Sequence, residues 1–362
     1  MAAPQQQIRF ASSPDGVRLA YAVSGRGEPT IIKAATWLSH LEVDGESPVW
    51  RHLLREMSAR GRFVRYDERG CGLSDRDVAD LGFASWVRDL EAVADAIAAP
   101  RFALLGLSQG GAVAIAYAVA HPERVSHLVL HGAYARGRLV RANTPEMHDE
   151  AETMCRLAEL GWGKDDPSFR QFFTSQFIPG GTPEQHRWFN EMERISTAPL
   201  TAARFMREFN AIDVMALLPE VRCPTLVLHS RHDVRVPFDE GRLLASAIPG
   251  ARFVPIESSN HLLLEGEPGW RHWLEAVRAF LPAAGAGRSA GGAFEALSKR
   301  QCEVLELIAQ GRDNAQIAAA LGLTEKTVRN QVSAIFDRLE VENRPQAIVL
   351  AREAGMGRSG TP

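Results

Sequence analysis

Ser108 sits in Gly106-Leu107-Ser108-Gln109-Gly110, after the apolar run Phe102–Leu105 and before the alanine-rich stretch Gly111–Ala118. A serine at such a strand-to-helix turn, with glycine two residues away on either side, can be lifted clear of a sheet at the positive end of a helix. Its hydroxyl is a weak nucleophile until a histidine takes its proton and an acid orients that histidine. Both follow in the order Ser, Asp, His: Asp233 just past the run Thr225–His229, and His261 just past residues 252–256. Asp239 and Glu240 are rival acids that fall on the next helix, and His131–Arg136 contains no acid. Of the other histidines, His229 ends a strand, His232 adjoins the acid, and His272 falls on a helix where a surface or packing role suffices. His261 alone has the topological place of a general base, against the plain reading of a loop residue.

These side chains need a scaffold. Short β-rich runs at 7–11, 17–23, 29–34, 62–66, 102–106 and 125–130 alternate with helical stretches at 49–59, 81–97 and 109–121, predicting a sheet covered on both faces. Residues 144–212 interrupt with a helical insert, after which a strand at 225–229, a helix at 237–247, a strand at 252–256 and a helix at 267–281 resume the rhythm. The insert is rich in Phe, Met and Trp; most of these must pack it onto the body, and the remainder imply an apolar, roofed pocket. A mainly apolar ligand bearing an ester, lactone or thioester carbonyl is expected. The segment 282–293 is made of small residues that cannot build a core, predicting a flexible linker.

A second motif lies beyond it. Ser298-Lys299-Arg300-Gln301 is a capping box, followed by the apolar face Val304, Leu305, Ile308 and by Gly311. A short helix starts near Asn314 with Ile317, Ala318 and Leu321 inward, and stops at Gly322. Thr324 then caps a helix in which Val328, Val332, Ile335 and Leu339 recur at helical spacing, turning Glu325, Lys326, Arg329, Asn330 and Ser333 outward. Three short helices with a glycine turn before the third fit a helix-turn-helix that lays its third helix in the DNA major groove; a small helical protein-binding domain is the alternative.

Composition bounds these readings. With 362 residues, 45% apolar and 23% charged, the chain has the make-up of a soluble globular protein of two domains. No secretory signal or membrane span is apparent, which places it in the cytoplasm. Cys71, Cys155, Cys223 and Cys302 are scattered, so neither disulfides nor a metal site is indicated, and no cofactor is expected. The net charge of −3 hides an uneven split, because residues 297–358 carry nine basic against eight acidic groups. So weakly basic a module releases few counterions and would bind DNA poorly alone, which argues for a homodimer on paired half-sites.

Residues 7–281 resemble the α/β-hydrolase fold family. Besides the serine turn and the Asp233/His261 order, Tyr66-Asp-Glu-Arg-Gly-Cys-Gly-Leu-Ser-Asp75 matches the D-x-R-G-x-G-x-S segment that follows the family's fourth strand, and the insert occupies its lid position. The resemblance implies a mostly parallel sheet, esterase- or lactonase-like serine chemistry, and an oxyanion hole from the backbone amides of Trp37 and Gln109. Where the family often has His-Gly this chain has Lys33-Ala-Ala-Thr-Trp-Leu-Ser-His40. Lys33 either pairs with an acid or marks a strand end; Ser39 and His40 either line the pocket or open the next loop.

Leu297–Leu305, Gly311–Ile317, Leu323–Val332 and Arg344–Ala347 resemble the LuxR-type helix-turn-helix of bacterial regulators, a small all-α four-helix module. That likeness implies groove contacts by Lys326, Arg329 and Asn330, a phosphate contact by Thr327, and a dimer surface on Pro345–Glu353. Whether Lys326 and Arg329 read guanine or touch phosphate stays open. Two positions depart: Gln331 stands where histidine is frequent, altering a DNA contact, and Glu340 where glycine is common. The expected organisation is therefore a hydrolase-fold domain over 1–281 with its lid at about 140–212, a linker over 282–296 and a DNA-binding domain over 297–356. A ligand-responsive transcription regulator is the leading expectation, and an esterase or lactonase with an accessory DNA-binding tail the alternative.

Overall fold

Thr30–Lys33, Phe102–Leu107 and Thr225–Ser230 are buried at every residue, the signature of parallel strands with helices on both sides. The computed structural model describes residues 6–36, 39–162, 164, 166–282, 297–339, 341, 343–353 and 356–357. Two compact units divide the chain, Met1–Ala284 and Gly285–Pro362. Residues 283–296, most of the expected linker, lie outside the described residues, as do Trp37 and Glu340.

In the first unit, β1 (Gln6–Ser12), β2 (Arg18–Ser24), β3 (Thr30–Lys33), β4 (Arg62–Tyr66), β5 (Phe102–Leu107), β6 (Val125–His131), β7 (Thr225–Ser230) and β8 (Arg252–Ile256) form one sheet. Its order is β1-β2-β4-β3-β5-β6-β7-β8. Strand β2 runs antiparallel to β1 and β4, and every pairing from β4 to β8 is parallel. Parallel neighbours bring the C-terminal ends of β5, β7 and β8 to one edge, where open α/β sheets place their ligands. The single turn α1 (Leu41–Asp44) precedes α2 (Arg51–Arg60), α3 (Phe83–Ala96) and α4 (Gln109–Ala120); α10 (Phe238–Ala247) and α11 (Pro268–Phe280) come after the insert.

The insert comprises α5 (Arg138–Arg141), α6 (Pro145–Gly161), α7 (Pro167–Phe177), α8 (Pro183–Ser196) and α9 (Pro199–Asn210). Each of the last four opens on proline, where the missing N–H costs no helical hydrogen bond. Phe173, Phe177, Phe189, Phe205 and Phe209 join the core of the body, and Phe205 stacks on Trp86 with ring centroids 5.7 Å apart. Most of the insert's aromatic groups therefore serve packing.

The D-x-R-G-x-G-x-S segment is a structural hub. Arg69 is wholly buried and forks onto Asp89 at 2.6 and 2.7 Å while also donating to Asp15 at 2.7 Å and to the carbonyl of Asp80 at 3.0 Å. It ties the β1–β2 hairpin to α3. Gly72, at φ +54°, leaves room for the Asp67 carboxylate, since a Cβ there would lie 2.2 Å from Oδ2.

The second unit holds α12 (Lys299–Ala309), α13 (Asn314–Leu321), α14 (Glu325–Leu339) and α15 (Arg344–Glu353) around a core that includes Val304, Leu305, Ile308, Ile317, Val328, Val332, Ile335 and Leu339. The Ser298/Gln301 capping box forms as expected. A second box, Asp313 with Gln316, starts α13 and was not anticipated. Gly322, at φ +64°, ends α13 in the left-handed conformation that allows the tight turn into α14.

Arg69→Ala strands Asp89 in the interior, and is expected to destabilise the first unit by roughly 3–5 kcal/mol. All seven tryptophans lie in that unit, so urea unfolding of the full chain followed by tryptophan fluorescence measures the loss.

Candidate active site

The turn between β5 and α4 holds Ser108 at φ +50° and ψ −128°, a conformation that non-glycine residues rarely adopt. Its amide donates to the carbonyl of His131 at 3.1 Å, tying the turn to the end of β6. Close approach makes the small neighbours obligatory: a Cβ on Gly106 would lie 2.6 Å from the Cα of Gly111, and one on Gly110 would lie 2.6 Å from the carbonyl oxygen of Ala35.

Asp233 and His261, from the loops after β7 and β8, meet with Nδ1 of His261 2.7 Å from Oδ2 of Asp233, both side chains buried. The other oxygen of Asp233 accepts from the amides of Arg235 and Val236 at 2.8 and 3.0 Å. Burial alone would raise the carboxyl's pKa, but the charge and hydrogen bond of His261, with help from His229 and the Val236 amide, hold it below the usual range. A carboxylate so fixed accepts a hydrogen bond from Nδ1–H of His261 and leaves Nε2 as an acceptor. Ser108 and His261 line the same cavity of about 320 Å³, although among the described residues no hydrogen bond joins them.

Three surrounding features were not singled out from the sequence. Gly132 clears space for the imidazole, because a Cβ there would come within 2.9 Å of His261 Cε1. Glu68 is buried and accepts from the Gln109 side chain at 3.1 Å; burial, with the charge of Asp89 adding, pushes its pKa up to about 8. The insert also grips the histidine loop, since the amides of His261 and Leu262 donate to the carbonyl of Phe177 at 2.9 and 3.1 Å.

The rival groups are committed elsewhere. Glu240 pairs with Arg136 at 2.6 Å and Asp239 with Arg242 at 3.1 Å. His229 lies 3.0 Å from the carbonyl of Val236, His232 pairs with Glu257, and His272 is exposed. Lys33 ends β3 and among the described residues makes no ion pair; its ammonium meets the Ala34 carbonyl and the Thr36 hydroxyl, each at 3.3 Å, and burial lowers its pKa to about 8. Ser39 lines a separate cavity beside Lys33, and His40 stands just before α1 without a side-chain cap.

The apolar pocket is met on one side only. The cavity shared with His261 is walled by Trp50, Phe177, Phe189 and Leu262, as expected. A second, of about 350 Å³, also reaches Ser108 and Gln109 but is lined by Tyr134, Arg138, Arg141 and Arg235.

In the second unit Lys326, Arg329 and Asn330 are exposed along α14, while Thr327 and Gln331 are half-buried. Thr327 donates its amide to the Thr324 hydroxyl at 3.2 Å, completing the cap. Arg300, Arg338, Arg344 and Arg352 are tied to the module's own oxygens, whereas among the described residues Lys326 and Arg329 make no ion pair.

Sheet order, serine turn and insert together define a hydrolase architecture, and known proteins agree. The chain belongs to the alpha/beta hydrolase fold family, which it matches over residues 44–268. Its second unit matches the bacterial regulatory proteins of the luxR family over residues 295–351. The chain is 29% identical over 252 residues to YisY, an AB hydrolase superfamily protein of Bacillus subtilis, covering 66% of this chain and 86% of that one. It is 27% identical over 256 residues to the pimeloyl-(acyl-carrier protein) methyl ester esterase of Nitrosomonas europaea, covering 66% and 90%. The crystal structure of a hydrolase from Pseudomonas aeruginosa superposes with a TM-score of 0.63 at 25% identity, covering 76% of this chain and 98% of that one. No helix among the described residues is long and apolar enough to cross a membrane.

Burial also makes the first unit acid-sensitive. It lowers His131 to a pKa of about 3 and His52 to about 4, from an ordinary 6.5. Below pH 6.5 the unfolded chain binds protons that the folded chain refuses, so stability is complete above 6.5 and falls as pH drops toward 4. Each histidine contributes up to about 1.4 kcal/mol per pH unit to that slope. His52→Gln, which keeps a donor for the Leu263 carbonyl, is expected to make the slope shallower in urea titrations over this range.

Proposed function

We propose that the chain is a ligand-responsive transcription regulator whose hydrolase-fold domain binds, and hydrolyses, a carbonyl-containing small molecule and thereby controls DNA binding by the luxR-type module. The observation that carries this reading is the joining, in one chain, of a strained Ser108 beside a buried His261–Asp233 pair with a helix that turns Lys326, Arg329 and Asn330 outward. A hydrolase needs no recognition helix, and a DNA-binding module needs no nucleophile.

In the proposed chemistry Oγ of Ser108 adds to the carbonyl carbon while its proton passes to Nε2 of His261. Asp233 holds the imidazole and balances the charge it gains. The developing oxyanion is assigned to the backbone amides of Gln109, at the start of α4, and Trp37. His261 then gives its proton to the leaving oxygen as the carbon–oxygen bond breaks, and a water molecule, deprotonated by the same histidine, releases the acyl group from Ser108.

For the DNA-binding half, α14 is assigned to the major groove, with Lys326, Arg329 and Asn330 facing bases or phosphates, Thr327 a phosphate and Gln331 a further DNA contact. Val349 on α15 is 57% exposed, which supports a homodimer formed through this helix and two recognition helices on paired half-sites.

Two outcomes follow. A fluorophosphonate probe is expected to label the full-length chain once, at Ser108, and to leave Ser108→Ala unlabelled; a labelled Ser108→Ala would remove the nucleophile assignment. Arg329→Ala is expected to weaken binding to a selected DNA site by about tenfold or more, the value of a lost base or phosphate contact, with unchanged circular dichroism. Full affinity in fluorescence anisotropy would take α14 out of the groove.

A further inference from the structure

The cavity that opens from Ser108 toward α5 and α9 is unusual for its charge. Arg138 and Arg141 enter from α5, and Arg235 enters from the loop that carries Asp233. Among the described residues none of the three is paired with a carboxylate. Their neighbour Arg136 shows the contrast, for it takes the buried Glu240 at 2.6 Å. Of the other buried acids nearby, Asp233 is committed to His261 and Glu68 accepts from the Gln109 side chain.

The guanidiniums of Arg235 and Arg141 are held in place by groups that cannot neutralise them. Arg235 lies over the rings of Phe177 and Phe209, 5.2 and 5.5 Å from their centroids, and donates to Gln176 at 3.0 Å. Arg141 lies 5.7 Å over the Tyr134 ring and donates to the carbonyl of Arg136. Burial, with the charge of Arg138 adding, pulls Arg235 down to about 10. Three guanidiniums gathered with no ion-paired carboxylate among the described residues repel one another, and a bound anion relieves that repulsion. Guanidinium forks match the two oxygens of a carboxylate.

We propose that Arg138, Arg141 and Arg235 form a subsite for a carboxylate of the ligand, so that the molecule held at Ser108 is a carbonyl compound with an acid group on one side and an apolar part toward Trp50 and Phe189. This rests on the reading of Ser108 as the residue that faces the carbonyl, and it narrows the ligand from a mainly apolar ester or lactone to a half-ester or lactone of a dicarboxylic acid.

The test compares mono-p-nitrophenyl adipate with p-nitrophenyl hexanoate on the full-length chain, two esters of equal acyl length that differ by the terminal carboxylate. The expected result is a higher kcat/KM for the adipate ester, with the adipate-to-hexanoate ratio falling about tenfold or more in Arg138→Gln, less in Arg138→Lys and most in Arg138→Glu. Arg138 has no partner to lose within the described residues, and tryptophan fluorescence verifies folding. A wild-type preference for hexanoate, or a ratio that none of the three variants moves, overturns the subsite and leaves the nucleophile intact. If neither ester turns over, the hydrolytic reading fails by itself, and calorimetry with adipate decides the subsite. Saturable binding that Arg138→Glu weakens supports it, and no saturable binding overturns it.

Discussion

Ser108 is held at φ +50° by packing that tolerates no side chain at Gly106 or Gly110, and the rest of the first unit is arranged around that constraint. The strained turn projects a hydroxyl at the C-terminal edge of the sheet. Because β5, β7 and β8 run parallel, the loops bearing Asp233 and His261 emerge at the same edge. The insert then closes over them, anchored by the Phe177 carbonyl on the histidine loop. A turn that relaxed to ordinary backbone angles would take the hydroxyl away from the imidazole.

Charge is treated differently in the frame and in the site. Within the frame, Arg69 takes Asp89 and Asp15, Arg65 takes Asp44 at 2.7 Å, and Arg136 takes Glu240, Lys33 with its carbonyl and hydroxyl partners being the exception. Around Ser108 that pairing stops. Arg138, Arg141 and Arg235 are half-buried, face a cavity and have no ion-paired carboxylate among the described residues, the kind of unpaired charge that clusters where a ligand supplies the partner.

Much of this was legible in the sequence because it is local. The eight strands fall within a residue or so of the apolar runs, and the Ser, Asp, His order survives because each side chain follows its own strand. The stripe Val328, Val332, Ile335 and Leu339 is the buried face of α14, as expected, since helical period alone decides which side is buried. Features that depend on distant segments converging were not legible. Arg138 and Arg141 are separated from Arg235 by the rest of the insert and by β7, and each alone reads as a surface arginine. Gly132 reads as a turn glycine until the His261 ring is seen against it. Clues existed in hindsight: Gly137-Arg138-Leu-Val-Arg141 directly follows the β6 loop, and Arg235 lies two residues past the acid.

The central claim is that occupancy of Ser108 governs DNA binding. It is tested most directly by phosphonylating Ser108 stoichiometrically in the full-length chain and measuring affinity for one selected DNA site, by fluorescence anisotropy, before and after modification. A shift of about fivefold or more in either direction is expected, the lower end of ordinary coupling between sites. Equal affinity of the modified and unmodified chains would contradict it.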